Sequence, residues 1–359
     1  MNKNLSKFIT NLWEKSAEKK RLTFFEKIFF FTLCFFEKFY CIIFFITQTF
    51  GRKNGNKIVP NLKVISVGNL SVGGTGKSVF VGFLVQILEG KRCAIISRGY
   101  GGHYSGNKSF LVSDGQNYFC TPDVCGDEPY MLAQSLHVPV IVGKDRHKSC
   151  LLLRETFGLS KSFAILDDGY QNHQLKKDFE IVLVDARSPF GNGHCLPAGN
   201  LREKDYSRAD VIILTHADEV RASELNFEVA LGAVRFEKIS KIKTKFFPKF
   251  DQSKILCGMH KPVGLFLFDE QKIELHDYKD KKFLALAAIG SFSGFVQSLK
   301  NFGIQTDQIL QFPDHHNYSS NDIILIFDIV KKHGLSGVIT TQKDWRSEEH
   351  TSELQSPNT

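Results

Sequence analysis

The chain has 359 residues, 42% apolar and 23% charged, enough to bury more than one core. Its formal net charge of +8 is unevenly placed: residues 1–57 carry eleven Lys/Arg against four Glu, a net of +7, which leaves the remainder close to neutral. That distribution argues against a nucleic-acid binder, whose basic stripe belongs on the folded domain, and eight cysteines without a C-x-x-C pair argue against a disulfide framework or a zinc site.

Residues 22–50 are dense in Phe and Ile, and no small-residue cleavage site follows them, so a removable signal peptide is not expected. A spanning helix wants about 20 uninterrupted apolar residues, and Glu37-Lys38 interrupts this one. The interruption is periodic. Lys15, Glu26, Glu37 and Gln48 recur every eleven residues, as do Lys27, Lys38 and Thr49, and eleven residues is close to three helical turns. One narrow polar stripe on a greasy helix predicts a helix lying in the headgroup region of an anionic membrane, with a tilted span or a core-packed helix as alternatives.

Residues 63–88 then read strand, glycine-rich loop, helix, the order a P-loop needs. Gly73, Gly74, Thr75 and Gly76 turn backbone N–H groups towards an anion, Lys77 adds a point charge, and Ser78 offers a hydroxyl to Mg²⁺. Only the G-G-T-G-K-S core matches, because Ser71 stands where the full motif has its first glycine. A nucleoside triphosphate is the expected ligand. Residues 92–97 form a second buried strand that opens into Arg98-Gly99, where Arg98 is either a phosphate partner or a plain turn residue. Residues 103–122 are expected as a loop or hairpin.

Asp127 and Glu128 begin a helix. They are dipole partners there, or a base and a metal contact beside a bound triphosphate. The strand at 138–143 leads to Arg146, placed to neutralise charge on a transferring phosphoryl group. Residues 162–168 form an apolar strand ending in Asp167 and Asp168, the position where a P-loop enzyme keeps the carboxylate that orders Mg²⁺. Further strands at 180–184 and 209–214 complete the alternation of a parallel sheet covered by helices. Thr215-His216-Ala217-Asp218 lacks the Asn and Lys of a guanine-reading loop.

Beyond residue 230 a smaller α/β domain is expected, with strands within 234–247, a strand at 282–288, helices at 294–301 and 319–333, and a strand at 337–341. The predicted division is an arm (1–57), a P-loop domain (58–230), the smaller domain (231–345) and a polar tail (346–359). The first eleven residues of that tail read like a translated library adapter, so it is expected to be foreign sequence after Trp345, or else a natural disordered tail.

In order, G-N-L-S-V-G-G-T-G-K-S, S-R-G-Y-G-G, G-D-E-P-Y-M-L-A, D-D-G-Y-Q-N-H-Q-L, F-G-N-G-H-C-L-P-A-G-N-L-R-E and F-P-D-H-H-N-Y resemble the tetraacyldisaccharide 4'-kinase family. The resemblance implies ATP and Mg²⁺, and transfer of phosphate to the 4'-hydroxyl of a tetraacylated glucosamine disaccharide 1-phosphate. It implies an enzyme, expected as a monomer, on the cytoplasmic face of a Gram-negative inner membrane. It also implies that His315 pairs with Asp127 at the sugar hydroxyl, that Gln171 belongs to the nucleotide site, and that Arg98, Asn200 and Arg202 belong to the substrate site. The turn after the strand at 282–288 departs from the family pattern, carrying Ile289-Gly290-Ser291-Phe292. The rival function is a membrane-recruited P-loop switch that binds a partner protein; such a switch needs no base at an acceptor.

Overall fold

A computed structural model describes residues 3–18, 20–53, 57–103, 108–217, 220, 231–258, 265–266, 272–273, 278, 281–289, 292–313, 316, 318–341 and 344. Two compact units divide the chain, Met1–Met259 and His260–Thr359.

In the first unit α1 (Lys3–Ala17) and α2 (Phe24–Lys53) precede β1 (Lys63–Asn69), α3 (Lys77–Ile87), β2 (Cys93–Ser97), β3 (Phe110–Asp114), the one-turn α4 (Pro122–Cys125), α5 (Asp127–Leu136), β4 (Pro139–Val142), α6 (Arg146–Phe157), β5 (Phe163–Asp167), β6 (Phe179–Asp185), β7 (Val211–Thr215), α7 (Leu231–Phe246) and β8 (Ile255–Cys257). The strands form one sheet in the order β3-β4-β2-β5-β1-β6-β7-β8. Every neighbouring pair is parallel except β3 on β4. The near-continuous apolar runs of β2 and β4 are wholly buried, as strands covered on both faces must be.

Alternation along each strand sorts the core into two layers. Ile65, Val67, Ile95, Val140 and Ile165 meet Val81 of α3 and Leu132 of α5, whereas Val64, Ile96, Ile141 and Leu166 meet Cys150 and Leu153 of α6. The chain leaves β1 to one side for β2 and crosses after β5 to β6 on the other. The order therefore reverses at β1, the switch point where the carboxyl ends of β1 and β5 form the ligand-binding edge of an open α/β sheet. Gly68 is needed there, since a Cβ on it would lie 2.5 Å from Tyr170 Cβ. That close approach brings the turn after β5 onto the strand that feeds the P-loop.

The hairpin expected within residues 103–122 is present: Phe119 N–H returns to Val112 O at 2.8 Å, and Phe110-Leu111-Val112 is apolar enough to pair as the antiparallel edge strand β3. Two expectations are corrected. The strands expected within 234–247 are instead α7. Ile239, Ile242 and Phe246 recur at helical steps and pack, with Phe247, against Ile212 and Leu214. The boundary expected at 230/231 falls at 259/260, because β8 pairs with β7 and so belongs to the large sheet.

In the second unit β9 (Leu265–Phe266) and β10 (Lys272–Ile273) form a small antiparallel ribbon. β11 (Lys282–Ala287), α8 (Phe292–Asn301), β12 (Gln305–Gln311), α9 (Ser320–Lys332) and β13 (Gly337–Ile339) follow, the three strands parallel in the order β12-β11-β13. Ser319 and Asp322 close a capping box on α9. The strand β12 escaped the sequence reading because Q-T-D-Q-I-L-Q has no apolar run. Gly290, Ser291, Trp345 and the tail 346–359 lie outside the described residues.

Candidate active site

Gly76, with φ 77°, takes the left-handed conformation that starts α3 directly from the loop. Lys77 and Ser78 thereby occupy the first turn. Lys77 Nζ stands 4.0 Å from Asp168 Oδ1, and the Ser78 hydroxyl donates to Glu128 at the start of α5. Thr75 is buried and its hydroxyl accepts from Asn69 Nδ2 at 3.0 Å, which pins the loop to the end of β1. Gly73 and Gly74 are exposed, with nothing within 4 Å of where a Cβ would stand.

The two acids at the end of β5 diverge. Asp167 is the last strand residue, whereas Asp168 has the left-handed φ of 54° and meets a different set of partners. Asp167 is 3% exposed; one oxygen accepts from Ser97 Oγ at 3.2 Å, and the other, Oδ1, is buried without a hydrogen-bond partner. Burial, with the charges of Glu128 and Asp168 and against the pull of Lys77, raises Asp167 to about 7. Asp168 goes the opposite way: burial opposes its charge, but Lys77 and Arg202 outweigh burial and hold it below the usual carboxylate range. Arg202 reaches both Asp168 oxygens, at 2.9 and 2.7 Å.

An orphaned carboxylate oxygen beside Glu128 and Ser78 is a set of hard oxygen donors, and it fits Mg²⁺. The P-loop amides and Lys77 fit a triphosphate. Asp127 is exposed, one residue before Glu128. Arg146 is not open to solvent: its guanidinium donates to Gly143 O at 2.5 Å and Asp167 O at 3.4 Å, and burial lowers it to about 10. Arg98 is exposed at the end of β2.

The loop after β6 folds back onto the P-loop. Val72 N–H donates to Asn200 O and Arg202 N–H to Leu70 O, each at 2.7 Å, so Asn200 and Arg202 arrive beside the nucleotide loop. Gln171 braces the same corner, donating to Asn69 O at 2.8 Å and Glu203 Oε1 at 3.0 Å. Glu203 in turn accepts from Arg208, whose guanidinium lies 4.3 Å from the ring centre of Tyr170. His315 and Asp314 lie outside the described residues, so the expected pairing with Asp127 does too. The neighbouring His316 stacks on Phe312 and meets Asp322 at 3.0 Å, a structural use of the second imidazole in D-H-H.

The helix α2 also takes part, which the sequence reading missed. The eleven-residue stripe is realised in part: Glu26, Glu37 and Gln48 share a face of α2 that meets protein, whereas Lys15 lies on α1 and Lys27, Lys38 and Thr49 are exposed. Glu26 bonds Lys15 of α1 at 2.6 Å, Glu37 accepts from Cys195 N at 2.6 Å and meets His194 Nδ1 at 2.7 Å, and Gln48 accepts from Arg208 at 3.2 Å. Tyr40 donates to Arg202 O at 3.0 Å, and Trp13 of α1 to Pro197 O at 3.0 Å. The opposite face is bare: Phe25 is 82% exposed and Phe31 77%. Phe24–Gly51, 28 residues, is long and apolar enough to cross a membrane. The periodicity signalled the polar face; nothing local signalled partners more than a hundred residues away. Ser97 and Asn69 carried a weak signal, as polar residues closing buried strands.

A family profile described as Tetraacyldisaccharide-1-P 4'-kinase matches residues 30–356. The Tetraacyldisaccharide 4'-kinase of Desulfatibacillum aliphaticivorans is 37% identical over 296 residues, covering 78% of this chain and 73% of that protein. The protein of the same name from Halothermothrix orenii is 32% identical over 360 residues, covering 96% and 88%. Among solved structures, the LpxK of Aquifex aeolicus in complex with ATP superposes with a TM-score of 0.62 at 32% identity, covering 87% of this chain and 88% of that one. On profile, relatives and fold together, the chain belongs to the tetraacyldisaccharide-1-P 4'-kinase family.

Proposed function

We propose that this chain transfers the γ-phosphoryl group of ATP to the 4'-hydroxyl of a tetraacylated glucosamine disaccharide 1-phosphate, the lipid A precursor. The observation that carries the reading is the meeting, at the carboxyl ends of β1 and β5, of Ser78 with Glu128 and of Lys77 with Asp168 and Arg202. Gly73, Gly74, Thr75, Gly76 and Lys77 take the phosphates. Ser78, Glu128 and Asp167 would hold Mg²⁺, which supplies neutralisation of the phosphate charge. Asp127 accepts the proton of the sugar hydroxyl as its oxygen bonds to the γ-phosphorus and the bond to the bridging oxygen breaks, releasing ADP. Arg98 and Asn200 serve the acceptor, Asp168 keeps Lys77 and Arg202 in register, and Arg146 fixes the strand end that carries the acids. Labelled phosphate should pass from ATP to the tetraacyl disaccharide 1-phosphate far faster than to water. Equal rates of hydrolysis with and without the lipid, and no labelled lipid, would sink the assignment.

The bare face of α2 and the net charge of +7 on residues 1–57 support attachment to the anionic cytoplasmic leaflet of the inner membrane, as a peripheral or monotopic monomer. Replacing both Phe31 and Phe45 with Ser removes two exposed aromatic side chains, each contributing about 1.5–3 kcal/mol when buried in lipid. Vesicle partitioning should drop by about 10²–10⁴-fold, while turnover on micellar substrate holds, because both side chains are exposed on the bare face of α2. Unchanged sedimentation with anionic vesicles would refute attachment through this face.

A further inference from the structure

Cys34, Glu37 and Cys41 succeed one another on α2 at steps of three and four residues, on the side that meets the loop after β6, and that loop presents His194 and Cys195 to them. Two sets of ligand atoms form there, each mutually within 4.8 Å and both sharing Glu37: Cys34, Glu37 and His194, and Glu37, Cys41 and Cys195. None of these five side chains has a part in the phosphoryl chemistry.

We propose that Glu37, Cys41 and Cys195 bind one thiophilic divalent cation of the zinc class, tying α2 to the loop that carries Arg202. Two thiolates and a carboxylate are a zinc donor set, and sulfur ligands disfavour Mg²⁺. The second Glu37 oxygen already has its outer partner, His194 Nδ1 at 2.7 Å, the kind of hydrogen bond that orients a ligating group. Cys195 is buried and Cys41 exposed, which leaves an entry path and a fourth position for water. Binding forms two sulfur–metal bonds and releases two thiol protons to solvent. Lys204 Nζ, 3.8 Å from Glu37, is on a side chain 55% exposed and is free to swing away.

The test uses the full chain, reduced, in detergent micelles, with Co²⁺ as the probe. One equivalent should bind with a thiolate-to-cobalt charge-transfer band, and Zn²⁺ should bleach that band. Cys41→Ser, at an exposed position where folding is not at risk, should lose the band, as should Cys195→Ser. Cys257→Ser, exposed elsewhere in the same unit, should keep it. Absence of the band in the reduced full chain overturns the proposal. So does a band that survives Cys41→Ser and disappears in Cys34→Ser, since that places the ion on the other set.

Discussion

Asp127→Asn should leave ATP affinity within a factor of two or so of the parent and slow phosphoryl transfer by about 10²–10⁴-fold, the usual range for losing a positioned general base. The substitution keeps the size of the side chain at the start of α5 and does not touch Glu128, which holds Ser78. A residue acting only on the helix dipole gives a different result: a change of about 0.3–1 kcal/mol in stability and no change in rate. Measuring nucleotide binding, melting temperature and single-turnover transfer on the same preparation separates the two. A rate within tenfold of the parent would remove Asp127 from the role of base.

Asp167→Asn is expected to lower transfer on the order of 10²–10³-fold, the loss typical of one preorganised electrostatic contact, while leaving the cation-free protein as stable as the parent or more so. The sign follows from burial. In the cation-free fold Asp167 titrates near 7, above the usual aspartate range. Its neutral form therefore favours the fold fully below about pH 4, and that contribution is lost as pH rises through about 7. The parent without Mg²⁺ should lose stability across that window, and the asparagine variant should not. Mg²⁺ should restore the parent alone. Asp168→Asn behaves otherwise, because it strips Arg202 and Lys77 of their shared partner. Identical pH slopes for the parent and Asp167→Asn would show that burial does not raise Asp167, and equal stabilisation of both by Mg²⁺ would show that the orphaned oxygen is not the cation's.

Sequence reached the parts whose signal is local. The glycines before Lys77, the paired acids closing an apolar run, and the helix that opens at residue 319 each express their geometry within a few residues, and each stands where expected. The reading of α7 failed because two alternating apolar positions, Val234 and Phe236, masked the longer helical spacing. The divergence of Asp167 from Asp168 was hidden too, since the left-handed conformation at Asp168 falls where the turn after β5 closes on Gly68 through Tyr170, a contact between residues far apart in sequence. The stripe on α2 was legible as a pattern, yet its partners His194, Cys195 and Arg208 come from a distant loop that only the sheet brings near. Three thiols gathering around Glu37 had no signature for the same reason.

The late arrival of β8 sets a limit on dissecting the molecule. A recombinant fragment ending near residue 230, a natural place to cut by motif, would lack the strand that completes the sheet edge and the helix that shields Phe247's neighbours. Such a piece would present the unpaired rim of β7 and a bare aromatic patch, an invitation to intermolecular strand addition and precipitation. Ligand screening on an isolated nucleotide-binding half therefore needs every residue through Gly258.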